Sequence, residues 1–304
     1  MTVAHDGRAA AQSGRRTPTL RVASHLAPSV LPAYALATRR MGDRLGRPAE
    51  LLVAAAYDRC AADIDHVCFV CSIPYLLLSS AGQVRMEAIA APVLRGGRYG
   101  GRPVYFSDVI VRADSPWQGL DELDGRRWAY NEPYSHSGFI VALHALAQNG
   151  AAAGFIGEAV EAGFHDDAIQ LVVDRGADWA AIDSQVLDLA VRRDARLRRE
   201  LRVIDVLGPS TIQPVVASAR RLSASQRAAA RDALLALHTD PTDRLVLRSA
   251  GIERFVPIED SDYSDIRGML ELVSISGLLP DWWWPRWRTL TEAQPESPIE
   301  QARD

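Results

Sequence analysis

The sequence predicts an α/β fold in which two lobes are joined by two crossing strands, and three observations carry that prediction. Short apolar runs alternate with helical segments along nearly the whole chain, as helices packed on largely parallel sheets require. The run Val104 to Arg112 is longer than an ordinary single-sheet strand and holds a polar pair, Ser107-Asp108, in its middle, as a strand passing from one lobe to another would. Gln213 to Ser218 is a later apolar strand between turn residues, placed to bring the chain back. These bounds give lobe 1 as residues 20–106 plus 214–278, lobe 2 as the insertion 107–213, and tails at 1–19 and 279–304. Two crossings leave a cleft whose walls can close on a small molecule.

In chain order, Leu20 to Ser24 reads as a strand, and Ala27-Pro28-Ser29 starts a helix that runs to about Leu45. Leu51 to Ala55 and Val67 to Cys71 are strands around a short helix, Tyr57 to Ala62; Ile73 to Ala81 is helical; Ala88 to Leu94 is a strand. A glycine-rich loop, Arg95 to Pro103, leads into the long run, after which Asp114-Ser115-Pro116-Trp117 carries a helix-start signal. Strands are expected at Trp128 to Asn131, Ile169 to Val173, Trp179 to Ile182 and Leu201 to Val206. Helices are expected at Ile140 to Gln148, Ala224 to Leu237, Pro241 to Ser249 and Tyr263 to Leu272.

Composition narrows the function. A hydrophobic share of 48% with 24% charged residues is that of a soluble globular chain, and a net charge of -4 gives no electrostatic reason to bind nucleic acid. No run is long and apolar enough to span a bilayer, and Met1 to Thr19 lack the apolar core of a signal peptide, so the expected compartment is the cytosol. Three cysteines exclude a complete disulfide framework. Cys68 and Cys71 have metal-motif spacing, but three residues apart in a strand they face opposite ways; neither a metal nor a cofactor is expected. Trp282, Trp283, Trp284 and Trp287 crowd the second tail, and are expected to pack back on the chain, with docking to a partner protein, such as the permease, or to a membrane face as the alternative.

The most informative segment is Asn131-Glu132-Pro133-Tyr134-Ser135-His136-Ser137-Gly138-Phe139, between a strand and a helical run. A helix start offers unpaired N–H groups and the positive end of the peptide dipoles, and two hydroxyls beside a glycine suit an oxyanion. An ordinary serine cap is the alternative local reading.

Together with Tyr57, the run Val70 to Tyr75, the block Tyr105 to Ser115, Gly163-Phe164-His165, Ala180 to Ser184 and Gly208-Pro209-Ser210, this segment resembles the phosphate/phosphite/phosphonate-binding family of ABC-transporter solute receptors, which have the type II periplasmic-binding-protein fold. The resemblance covers Leu20 to Gly277. It implies that Ser135, His136 and Ser137 hold the oxyanion, that His165 adds a donor, and that Tyr57 and Tyr75 reach the ligand from lobe 1. It gives Asp183 the amino end of an aminoalkylphosphonate, with helix capping as the alternative, and brings in Ser72, Glu132 and Tyr105 from the same motifs or beside them. His136 replaces the small hydroxyl residue usual in this turn.

The function expected is therefore capture of a small phosphonate-, phosphite- or phosphate-like anion, delivered to an ABC permease or used by a cytosolic relative. No catalytic residue is expected. An enzyme of the thiamine-precursor or chorismate-dehydratase type and a ligand sensor are the alternatives. The family's usual compartment, the periplasm, stands against the cytosolic reading.

Overall fold

The computed structural model describes residues 18–53, 57–80, 85–152 and 154–292; the expected first tail and the end of the second lie mostly outside them. The strands are β1 (Leu20–Ser24), β2 (Ala49–Val53), β3 (Val67–Phe69), β4 (Met86–Leu94), β5 (Val104–Arg112), β6 (Arg127–Tyr130), β7 (Glu158–Glu161), β8 (Trp179–Asp183), β9 (Leu201–Thr211), β10 (Val215–Ser218) and β11 (Ile252–Val256). They form a six-stranded sheet, β11-β4-β10-β3-β1-β2, and a five-stranded sheet, β7-β6-β8-β5-β9.

The helices are α1 (Leu31–Leu45), α2 (Asp58–Ala61), α3 (Ser72–Ser80), α4 (Val141–Gln148), α5 (His165–Val173), α6 (Ser184–Arg193), α7 (Leu197–Glu200), α8 (Ala224–Ala236), α9 (Pro241–Ser249), α10 (Ser264–Ile275) and α11 (Trp283–Glu292). Local signals explain many of their ends. Proline opens α9 under an Asp240 cap, and Gly46, at φ 62°, takes the left-handed conformation that ends α1. On α1 the buried residues Ala33, Tyr34, Ala37 and Met41 follow helical spacing and pack the helix on the sheet.

The sheets are mixed rather than largely parallel. The strands at the two passages between the sheets reverse direction: β10 is antiparallel to β3 and β4, and β5 to β8 and β9. Val104–Arg112 does not itself cross, since it pairs along its length within the five-stranded sheet. The crossings are the loop 95–103 and the segment 212–214, which run side by side, the Ile212 amide donating to the Pro103 carbonyl at 3.0 Å.

Two local expectations are corrected. Ile169–Val173 belongs to α5, where Ala168, Ile169 and Val172 form a buried helical face; it is not a strand. Asp114 starts no helix, because its carboxylate pairs with Arg112 and Arg175, and the next turn is a short 3-10 turn at Leu120–Leu123. Within 279–304, the described part is a short approach and α11, packed on the body. Trp283 is fully buried and donates its indole N–H to the Pro133 carbonyl at 2.7 Å, while Trp282 and Trp284 stay exposed.

Candidate ligand-binding site

A cavity of about 260 Å³ lies between the two sheets. Its walls come from loops at strand ends, where ligands sit in open α/β sheets because helix starts converge there. One wall carries His25, Tyr34, Tyr57 and Cys71 from the six-stranded side, and the other is built on three helix starts from the five-stranded side.

The first helix start is Ser135. Its hydroxyl accepts the Gly138 N–H at 3.0 Å, and its carbonyl takes the Ile140 N–H five residues on, so a π turn over His136–Ile140 precedes α4. Such turns place side chains differently from an α-helix. Ser135 and Ser137 line the cavity, whereas His136 does not. Gly138 is required by close approach, since a Cβ there would meet the Asn131 Oδ1 at 1.9 Å.

The second start is α5, whose first residue is His165; the Asp167 carboxylate reaches back to the Phe164 amide at 3.2 Å. His165 Nε2 lies 3.0 Å from the Ser137 Oγ, tying the two helix starts together. Burial lowers the His165 pKa to about 3, so at neutral pH it offers hydrogen bonds rather than charge.

The third start is α6, capped by Asp183. Its Oδ1 accepts the Gln185 N–H at 2.7 Å and the Val186 N–H at 3.4 Å, and its Oδ2 accepts from the Gln213 side chain at 2.8 Å. The carboxyl thus lines the cavity while serving as a cap. Burial still raises it to about 6.

Three helix starts therefore meet at one small space, the third with its positive end already answered by the Asp183 carboxylate. The arginine in the wall, Arg286 of α11, is neutralised by a two-armed pair with Glu161 at 2.6 and 2.8 Å. Glu132 is half-buried and raised to about 7 by burial; it accepts the Tyr57 hydroxyl at 2.5 Å. His25, Asn131 and His165 each hold a buried polar atom without a protein partner, so the wall keeps unspent hydrogen-bonding capacity.

Of the residues expected from sequence, Tyr57, Glu132, Ser135, Ser137, His165 and Asp183 line this cavity. Four do not. His136 faces the other side of its turn, with Nε2 2.9 Å from the Ser210 Oγ and its ring against Tyr105. Tyr105 is buried beneath it on β5. Tyr75 lies on the face of α3 turned to Tyr263 and donates its hydroxyl to Asp260 at 2.8 Å. Ser72 is buried at the start of α3, outside the wall. Sequence reasoning did not single out His25, Asn131, Gln185, Gln213 or Arg286. Position at a strand end would have found His25, but no local signal marks Arg286, which arrives from far along the chain.

A family model described as "ABC transporter, phosphonate, periplasmic substrate-binding protein" matches residues 22–263. Among solved structures, the chain is similar to a binding protein component of an ABC phosphonate transporter from Pseudomonas aeruginosa: 16% identity, 91% of this chain and 96% of that one covered, TM-score 0.75. It is also similar to PhnD1 from Prochlorococcus marinus in complex with methylphosphonate, with 15% identity, 84% and 98% coverage and a TM-score of 0.72. The periplasmic aliphatic sulphonate binding protein SsuA from Escherichia coli follows at 16% identity, 90% and 99% coverage and a TM-score of 0.58. At these identities the structural likeness establishes the type II periplasmic-binding-protein fold.

Proposed function

Because the chain belongs to the phosphonate substrate-binding family of ABC transporters, a family of receptors rather than enzymes, we propose that it captures a small phosphonate-like oxyanion in the cavity between its sheets. The convergence of three helix starts on one cavity supports this reading most strongly. Amide and hydroxyl donors, aided by dipole ends, hold an anion without a free arginine, as at helix starts generally. Ser135, Ser137 and His165 take the oxyanion, and the residues built on each sheet act as lobes that close by bending at loop 95–103 and segment 212–214. Glu132 faces whatever the phosphonate carries at its other end. An ammonium or a protonated oxygen suits it, because its single bond from Tyr57 leaves acceptor capacity that Asp183, held by three donors, lacks.

Among the described residues no helix is long and apolar enough to cross a membrane. The closed receptor docks on an ABC permease in the periplasm, a reading supported by the family's description as periplasmic substrate-binding proteins. A thermal-shift series with phosphate, phosphite, methylphosphonate, aminoethylphosphonate, sulfate and small carboxylates tests the ligand class. A saturable rise with a phosphonate is expected; a rise with carboxylates alone sinks the reading. Cell fractionation tests the compartment.

A further inference from the structure

We propose that His25, Cys60 and Cys68 form a binding site for a soft divalent cation of the zinc class, set beside the cavity in the six-stranded half. One ligand atom from each of the three residues lies within 4.8 Å of the others. The two thiols are free and buried, with Sγ atoms 3.1 Å apart. Both His25 ring nitrogens are buried with no oxygen or nitrogen partner, and the polar neighbour that the imidazole does have is the Cys68 thiol. Two sulfurs and an imidazole are the donor set that soft cations select.

The backbone holds these donors in place without help from an ion. Cys68 on β3 is in register with Ala23 on β1, two residues before His25, and the His25 amide donates to the Phe69 carbonyl at 2.9 Å. Cys60 sits on α2, which Arg59 ties to Asp65 through two hydrogen bonds of 3.1 and 2.6 Å. The donors come from β3, α2 and the residue just past β1, and with Zn–S bonds of about 2.3 Å the two sulfurs need only part by several tenths of an ångström to share one tetrahedral ion. With two thiolates and a neutral imidazole, a divalent ion gives a site of zero net charge, which a buried position favours. Three protein ligands leave one tetrahedral position to water.

Cys71 takes no part, since its sulfur lies 3.3 Å from the His136 amide, on the other side. Metal uptake displaces the thiol protons. The ring of His25 stacks on Tyr57 at 5.0 Å and lines the cavity. An ion there stiffens the wall from which Tyr57 meets Glu132, so metal and cavity ligand affect each other's affinity reciprocally. The metal site itself does not depend on the phosphonate reading.

The test uses untagged, fully reduced, metal-free protein titrated with Zn2+ and, separately, Co2+. Expected are about one Zn2+ per chain retained through desalting, a saturable rise in thermal midpoint, and a thiolate-to-Co2+ charge-transfer band. His25→Ala should weaken Zn2+ binding by at least about tenfold. Absence of both the band and the retained zinc from the reduced wild-type protein overturns the proposal, as does unchanged zinc in a Cys60→Ser/Cys68→Ser variant. Because that double variant alters the core and can fail to fold, the wild-type Co2+ spectrum decides independently. A reduced protein that binds no metal but loses two hydrogens in air, by mass spectrometry, has a Cys60–Cys68 disulfide pair instead and also overturns it.

Discussion

Replacing Ser137 by alanine separates binding from folding within one tripeptide. Its hydroxyl is buried, lines the cavity and lies 3.0 Å from the His165 Nε2. On the proposed reading it donates to a charged oxygen of the bound ligand, and loss of a hydrogen bond to a charged group costs about 1.5 to 3 kcal/mol. At about 1.4 kcal/mol per tenfold, that weakens binding roughly 10- to 150-fold. The fold loses one neutral hydrogen bond, about 1 kcal/mol. His136→Asn is the contrast: the side chain faces Ser210 rather than the cavity, so stability falls by about 1 to 3 kcal/mol while affinity changes less than about threefold. Isothermal titration with methylphosphonate reads the affinities, and urea unfolding reads the stabilities. A Ser137→Ala protein that binds like wild type, or a folded His136→Asn protein that loses more affinity than Ser137→Ala, refutes the assignment of the turn.

Three further outcomes follow from the same geometry. Burial raises Glu132 from an ordinary 4.5 to about 7, so the folded state holds its proton more tightly than the unfolded chain. Its stabilising contribution is full below about pH 4.5 and is lost as pH rises through 7, a change on the order of 3 kcal/mol. Glu132→Gln should flatten that part of the urea stability profile, and an unaltered profile excludes Glu132 as its source. As Glu132 ionises, the affinity ratio of aminoethylphosphonate to methylphosphonate should rise in the wild-type protein and stay flat in the glutamine variant. Trp283→Ala removes a fully buried ring and the indole bond to Pro133, which costs about 3 to 5 kcal/mol. Wild-type stability in that variant would mean that α11 does not pack on the body.

Much of the fold was legible because local physics fixed it. Val104–Arg112 and Pro241–Ser249 match their expected bounds, one an apolar run between turn signals, the other opened by proline under an aspartate cap. Strand direction was not legible, because the antiparallel reversals at the crossings follow from tertiary pairing rather than from any local residue pattern. Ile169 to Val173 misled because five mostly apolar residues suit a strand as well as one helical face; the acid pair Asp166-Asp167 just before them was the helix-start signal. The edge strand β7, Glu158–Glu161, has mostly exposed side chains and so no burial pattern to read.

The cavity was legible where residues lie beside helix starts, as with Ser135, Ser137, His165 and Asp183. It was not legible for His136, because a π turn decides which way the middle residue points, nor for Arg286, brought in by the packing of α11. Cys60 escaped notice because the visible cysteine pair was Cys68 and Cys71, whereas α2 folds Cys60 onto Cys68.

A crystal of the protein grown with methylphosphonate puts the binding claim to the most direct trial. The phosphonate oxygens should lie within hydrogen-bonding distance of Ser135, Ser137 and His165, with Tyr57 closing the cavity from the six-stranded side and Glu132 at the ligand's other end. Density for the phosphonate elsewhere, or side chains of the chain itself filling the space at saturating ligand, contradicts it.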